Sequence, residues 1–221
     1  NTKIQIISLF IIGAIGQQYG NNGLLVTFAL AVILGVIFKA INGAAKGFAL
    51  IAYPIMAIIV GIIGFKVGIP IANKLYSFIL SLFVKWNAAA QSSGKIMYYL
   101  IIAVVSGFLF ISPIGMWGLI PMLTASEIGN SLTNPTIIAI CCGVMSFMIG
   151  FAVIAFKDND IGTTVGLLIG TPTLMFGNFL HNMMIALSPV VAACVSCFVA
   201  VRFLGLTGSL SMMELGNCCF I

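Results

Sequence analysis

Long apolar runs separated by short polar breaks organise this chain. Runs of about 20 residues predict helices that cross a bilayer, and shorter ones predict broken or re-entrant elements. Residues 4–15 form a short run that closes on Gly16-Gln-Gln-Tyr-Gly20, and residues 24–38 form a fuller span ending at Lys39. A short basic loop, 39–46, leads to a clear span over 48–65, where Pro54 predicts a tolerable kink. Gly68-Ile-Pro70 is expected to break that helix, which then resumes over 71–84 with Asn73 and Lys74 on one face, as an interfacial helix or as the end of a long bent span. Lys85 and Trp86 look like an interface anchor, and 85–95, rich in Ala, Ser and Gln, is the longest polar connection.

The next span covers 96–111 and breaks at Ser112-Pro113. Residues 115–135 are irregular, with Trp117, Pro121, Glu127, Gly129, Asn130 and Asn134-Pro135 among them. A long helix follows over 135–156, with proline in the first turn, where proline is favoured. It stops at the dense charged cluster Lys157-Asp-Asn-Asp160, and a last span covers 185–204.

Between those two helices lies a stretch apolar enough for a membrane yet full of helix breakers. Gly162, Thr163, Thr164, Gly166, Gly170, Thr171, Pro172, Thr173 and Gly177 divide it into pieces too short to cross. An unpaired N–H or C=O in hydrocarbon costs several kcal/mol, so irregular backbone at membrane depth must be buried in protein or line a watery cavity. A re-entrant hairpin with its tip near Gly170-Thr-Pro-Thr173 is the economical expectation.

Composition settles the environment. Apolar residues make up 62% of the chain and charged residues 6%, with a mean hydropathy of +1.24. A soluble domain of 221 residues with a polar surface does not reach such values. The fold class predicted is all-α, a polytopic membrane helix bundle with broken helices and at least one re-entrant hairpin, forming one membrane-embedded domain over 1–221. The net charge of +5 is spread thinly at segment ends, as membrane flanking rather than a nucleic-acid patch. It gives no orientation, because the side on which Lys85 and Lys95 fall depends on how 48–84 crosses.

The six cysteines lie in apolar or Gly-rich sequence and read as reduced packing residues. Cys194-Val-Ser-Cys197 has CxxC spacing, but the chain has a single histidine and no second such pair, so no metal site is expected. Glycine and serine at spacings of three and four, as at Gly13/Gly16/Gly20 and Gly61/Gly64/Gly68, predict close helix packing and nothing more. No P-loop, GxSxG elbow, HExxH helix or EF-hand is present, so neither a cofactor nor a self-contained enzyme site is expected. A start at Asn1 inside an apolar helix and an end at Ile221 inside a Gly-rich run carry the expectation of a fragment lacking N- and C-terminal parts.

The candidate site follows from the breakers. The hydroxyls of Thr163, Thr164, Thr171 and Thr173, with freed backbone groups, suit recognition of a polyol. Asn178, His181 and Asn182, at i, i+3 and i+4, are expected on one helical face, where two amides and an imidazole both donate and accept. Glu127, in Thr-Ala-Ser-Glu-Ile-Gly-Asn, is a candidate because an acid at membrane depth accepts a hydroxyl's hydrogen bond or its proton. A loop tip in water is the competing placement for Glu127 and for Glu214, and Asp158 and Asp160 read as a solvated turn.

The order of several motifs resembles one family. Gly13-Ala-Ile-Gly16 before Gln-Gln-Tyr-Gly, the Pro54 helix with Ile-Ile-Val-Gly-Ile-Ile-Gly at 58–64, Lys85-Trp86-Asn87-Ala88, Cys141-Cys142 and Gly150-Phe-Ala-Val-Ile-Ala-Phe-Lys-Asp-Asn159 look like the phosphotransferase-system IIC-like family, which includes perfringolysin-regulator-type proteins. The resemblance runs through most of the chain. It implies an all-helical permease with re-entrant hairpins, a homodimer in the bacterial inner membrane, whose bound sugar is phosphorylated by a separate protein. Two departures stand out: His181 falls where many relatives carry Lys, and Cys218-Cys219 replaces a small Gly/Ser pair. The expected partners are the lipid bilayer, a small polar solute of carbohydrate type and IIA/IIB phosphotransferase proteins. Two alternatives stay open: a sensor or regulator of the same fold without transport, and a channel-like pore, which the missing rings of charged side chains disfavour.

Overall fold

The computed structural model describes residues 2–41, 48–112, 132–169 and 172–208. All secondary structure among them is helical: α1 (Thr2–Gln17), α2 (Gly20–Ile41), α3 (Ala49–Ser93), α4 (Ile96–Ile111), α5 (Asn134–Ala155), α6 (Ile161–Ile169), α7 (Phe176–His181) and α8 (Leu187–Phe198). Short 3-10 turns at Pro172–Met175 and Met183–Ala186 precede α7 and α8, and a π-turn, Val199–Phe203, closes α8. Leu50–Ser93, Asn134–Ala155 and Met183–Phe203 are long and apolar enough to cross a membrane. The bent pair Ile161–Leu168 and Thr173–His181 makes a fourth such element if counted as one span. This is an all-α polytopic bundle.

The chain divides into two compact units, Asn1–Phe78 and Ile79–Ile221. In the first, α1 and α2 form a hairpin turned by Gly20, whose φ of +60° suits a residue without a Cβ. The two helices touch backbone to backbone. A Cβ on Gly23 would collide with the Gly16 carbonyl, and one on Gly16 with the Thr27 hydroxyl. Gly64 and Gly68 of α3 likewise receive Leu30 and Val26 of α2. Tyr19 stacks on Phe65 at 5.2 Å, and Phe38 meets Tyr53 at 4.7 Å.

The break expected at Gly68-Ile-Pro70 is absent: α3 is one helix of 45 residues containing both Pro54 and Pro70. A proline removes one N–H from the ladder, and the bonds of its neighbours remain. The polar connection expected over 85–95 is also mostly helix. Ala88, Ala89 and Ala90 have the best helix propensity, and the hydroxyls of Ser92 and Ser93 donate back to the Ala89 carbonyl at 3.2 and 2.6 Å. The helix ends at Gly94, whose φ of +61° and N–H bond to Ala90 O give a left-handed cap.

In the second unit α4, α5 and α8 pack on one another. Small residues set the separation here too: a Cβ on Gly143 would strike the Ala103 carbonyl, one on Gly107 the Phe147 ring, and one on Gly150 would lie 2.9 Å from Pro189. α4 stops where the sequence predicts, because Ser112 precedes a proline and adopts an extended conformation with ψ of 153°. α5 starts at the Asn134-Pro135 signal behind Thr133. Ile111, Phe147, Phe151, Ala152 and Ala193 form a core with Leu167 of α6 and Met175 of the following turn.

Candidate functional site

The broken segment is anchored by its apolar residues. Leu167 and Met175 are buried against Phe147 and Phe151, and Phe108 of α4 meets Phe179 of α7 at 5.5 Å. The helices on either side of the break are inclined at 113°. Nine residues of α6 and six of α7 are each too short to cross hydrocarbon, for which about 20 are needed.

At the start of α6, Asp160 lies outside the helix and caps it. Its carboxylate accepts the Thr163 hydroxyl and the Thr163 N–H, the latter at 3.3 Å. The Thr164 hydroxyl and N–H both donate to the Asp160 carbonyl, at 3.2 and 3.1 Å. The Thr163 hydroxyl, then the Thr163 N–H, hold the Asp160 carboxyl below its ordinary value. In this conformation the hydroxyls of Thr163 and Thr164 are therefore spent on the cap. Asp160 and Asp158 are exposed, as a solvated turn requires.

The other predicted residues are distributed unevenly. Thr173 is half-buried and already engaged in an interaction. Asn178 and His181 are exposed and share a face of α7, with the Asn178 amide reaching Met175 Sδ at 3.6 Å. The face expected to include Asn182 stops at His181. Asn182 has left the helix with φ −142° and ψ 96°, and its side chain caps the next turn by accepting the Met184 N–H at 3.1 Å. Thr171, Glu127 and Glu214 lie outside the described residues.

A polar cluster that the sequence does not reveal lies at the foot of α5. Asn87 Oδ1 of α3 accepts three hydrogen bonds: from the Thr133 N–H at 3.2 Å, the Thr133 hydroxyl at 2.8 Å and the Thr136 hydroxyl at 2.6 Å. Asn87 is 6% exposed and Thr136 fully buried. The Thr133 side chain does not cap its own helix, so the carboxamide of another helix supplies the acceptor at this N-terminus. Asn87 thus ties α3 to the start of α5. Its only sequence signal was its place in Lys85-Trp86-Asn87-Ala88, since its partners are 46 and 49 positions away.

Further polar contacts join the helices of this unit. Ser106 donates to the Ile140 carbonyl at 3.3 Å, Ser146 and Ser196 share a hydrogen bond at 3.0 Å, and the Cys197 thiol donates to the Tyr99 carbonyl at 3.5 Å. Such bonds hold helices together in an apolar medium. Cys141, Cys142, Cys194 and Cys197 are free thiols, and no group of His, Cys, Asp or Glu among the described residues has the arrangement of a metal site.

One comparison with known proteins is informative. The family model described as Phosphotransferase system, EIIC matches residues 2–221. No curated protein and no solved structure matches the chain. With the match covering nearly every residue of a bundle of membrane-length apolar helices, the chain belongs to the EIIC family of the phosphotransferase system, as a multi-pass membrane protein.

Proposed function

We propose that this EIIC protein binds a small polar solute, most economically a sugar, and moves it across the bacterial inner membrane by alternating access. The observation that carries this reading is the anchored, bent pair Ile161–Leu168 and Thr173–His181. Leu167 and Met175 are buried in the core, and its helices are too short to span alone. Backbone of this kind is tolerated at membrane depth where it lines a cavity.

The groups along it suit hydroxyl recognition. Thr173 opens the second helix of the pair, two positions after Thr171 in the sequence, and Asn178 and His181 share a face of α7, each able to donate and accept. Thr163 and Thr164 join this lining only in a state where the Asp160 cap opens. Asn182 acts at the exit by shaping the turn into α8. In this reading Glu127 acts as acceptor of a sugar hydroxyl or of its proton. Phosphoryl transfer falls to a separate IIB-type protein served by a IIA partner, while this chain holds the hydroxyl. A homodimer whose hairpin unit moves as a rigid body would expose the site to each side in turn.

Uptake of radiolabelled hexoses and hexitols into proteoliposomes tests the proposal. Saturable uptake by the wild type, with loss in Glu127→Gln, Thr171→Val and His181→Ala, supports it. Wild-type flux in all three variants removes the site. Sugar binding without flux in any orientation favours a sensor of the same fold.

A further inference from the structure

A groove in the first unit, between α2 and α3, contains none of the candidate solute-binding residues. It encloses about 380 Å³ and has no polar lining. Leu25, Val26, Leu30 and Ile33 form one wall, with Val67 and Ile71 of α3 opposite. Its shape comes from two glycines. Gly64 and Gly68 let Leu30 and Val26 sink against the α3 backbone, leaving a furrow beside the contact. Val67 and Ile71 on its rim are 59% and 62% exposed, so the groove is open to the surroundings of a membrane helix.

Its length and ends fit one kind of occupant. On α3 it runs from Gly64 to Leu75, a rise of about 16 Å. One leaflet of the hydrocarbon core is of similar depth, half of about 30 Å. Leu25, near the start of α2, and Leu75 of α3 mark one end of the groove. Lys74 adjoins this end, is exposed, and lies seven residues after Val67 and three after Ile71, hence on the groove's rim. We infer that the α2/α3 groove holds one acyl chain of an anionic phospholipid, with the lipid phosphate on Lys74. The walls supply contact for hydrocarbon, and the lysine supplies the preference for an anionic head group, which one basic residue near a membrane surface raises about fivefold.

The test uses the purified protein in detergent micelles doped with equimolar dioleoyl-phosphatidylglycerol and dioleoyl-phosphatidylcholine, with retained lipid measured by native mass spectrometry and melting temperature in parallel. The wild type should retain phosphatidylglycerol over phosphatidylcholine by about fivefold. Lys74→Gln should abolish the preference and Lys66→Gln, off the groove face, should leave it. Ala29→Trp, which fills the groove, should lose both lipids. Equal retention of the two lipids by the wild type overturns the proposal. So does a preference that survives Lys74→Gln, a comparison that stands even if Ala29→Trp fails to fold. Cross-linking between copies through cysteine placed at Ile71, with no lipid retained, would assign the groove to a second copy and also overturn it.

Discussion

The hydroxyl of Thr136 donates to Asn87 Oδ1 at 2.6 Å, joining residues 49 positions apart at a point where α5 begins. The same oxygen accepts the Thr133 N–H and hydroxyl, so one carboxamide serves three donors. Buried donors without an acceptor each cost about 1–3 kcal/mol. Asn87→Leu should therefore lower the melting temperature more than Thr136→Val, which removes one donor together with its need, at about 1 kcal/mol. Thermal denaturation of the two purified variants in the same detergent checks the order, and equal losses would contradict it.

Glycines at similar spacings have opposite fates. Gly143 has no room for a methyl group because the Ala103 carbonyl occupies it, whereas nothing lies within 4 Å of a Cβ on Gly13. Gly143→Ala should destabilise by about 1–3 kcal/mol, the cost of overpacking. Gly13→Ala should be neutral or stabilising by up to about 1 kcal/mol, since glycine inside a helix is entropically costly. Paired melting curves give both values.

The Asp160 cap makes a pH-dependent contact at the start of α6. Its carboxyl is held below the ordinary value chiefly by the Thr163 hydroxyl. A depressed folded value means that the contribution is complete above the ordinary carboxylate range near ~3.9 and is lost as pH falls through the lower folded value. Thr163→Val should move the Asp160 midpoint up toward ~3.9. The chain contains two aspartates, Asp158 and Asp160, so carbon NMR on aspartate-labelled protein follows each carboxyl directly. An unchanged midpoint would dismiss the cap.

Asn178 and His181 share a face, while Asn182 caps a turn. If the α7 face holds solute, Asn178→Ala and His181→Ala should each weaken sugar affinity by roughly 2- to 10-fold, the worth of one net hydrogen bond, without changing the melting temperature. Asn182→Ala should instead lower stability by about 0.5–2 kcal/mol, as for a lost helix cap. Binding and melting on the same three variants separate the two roles.

Features of the sequence that act locally were legible. The Ser112-Pro113 stop, the Asn134-Pro135 start and the charged turn at 157–160 are set by backbone sterics and solvation within a few residues, and the structure reproduces them. The local signal at Gly68-Ile-Pro70 misled, because a helix tolerates one missing N–H when the residues on both sides stay in register. Asn182 could not be placed by spacing alone, since i+4 shares a face only while the helix continues.

The sequence by itself determined a membrane protein of apolar helices with one stretch too broken to span, because hydropathy and helix breakers are properties of each residue and its neighbours. Tertiary structure decided which glycines are contact points, which asparagine is buried, and that an apolar groove lies between α2 and α3. These depend on which surfaces meet across tens of residues. An apolar chain offers many chemically equivalent faces, so only the packed helices distinguish them.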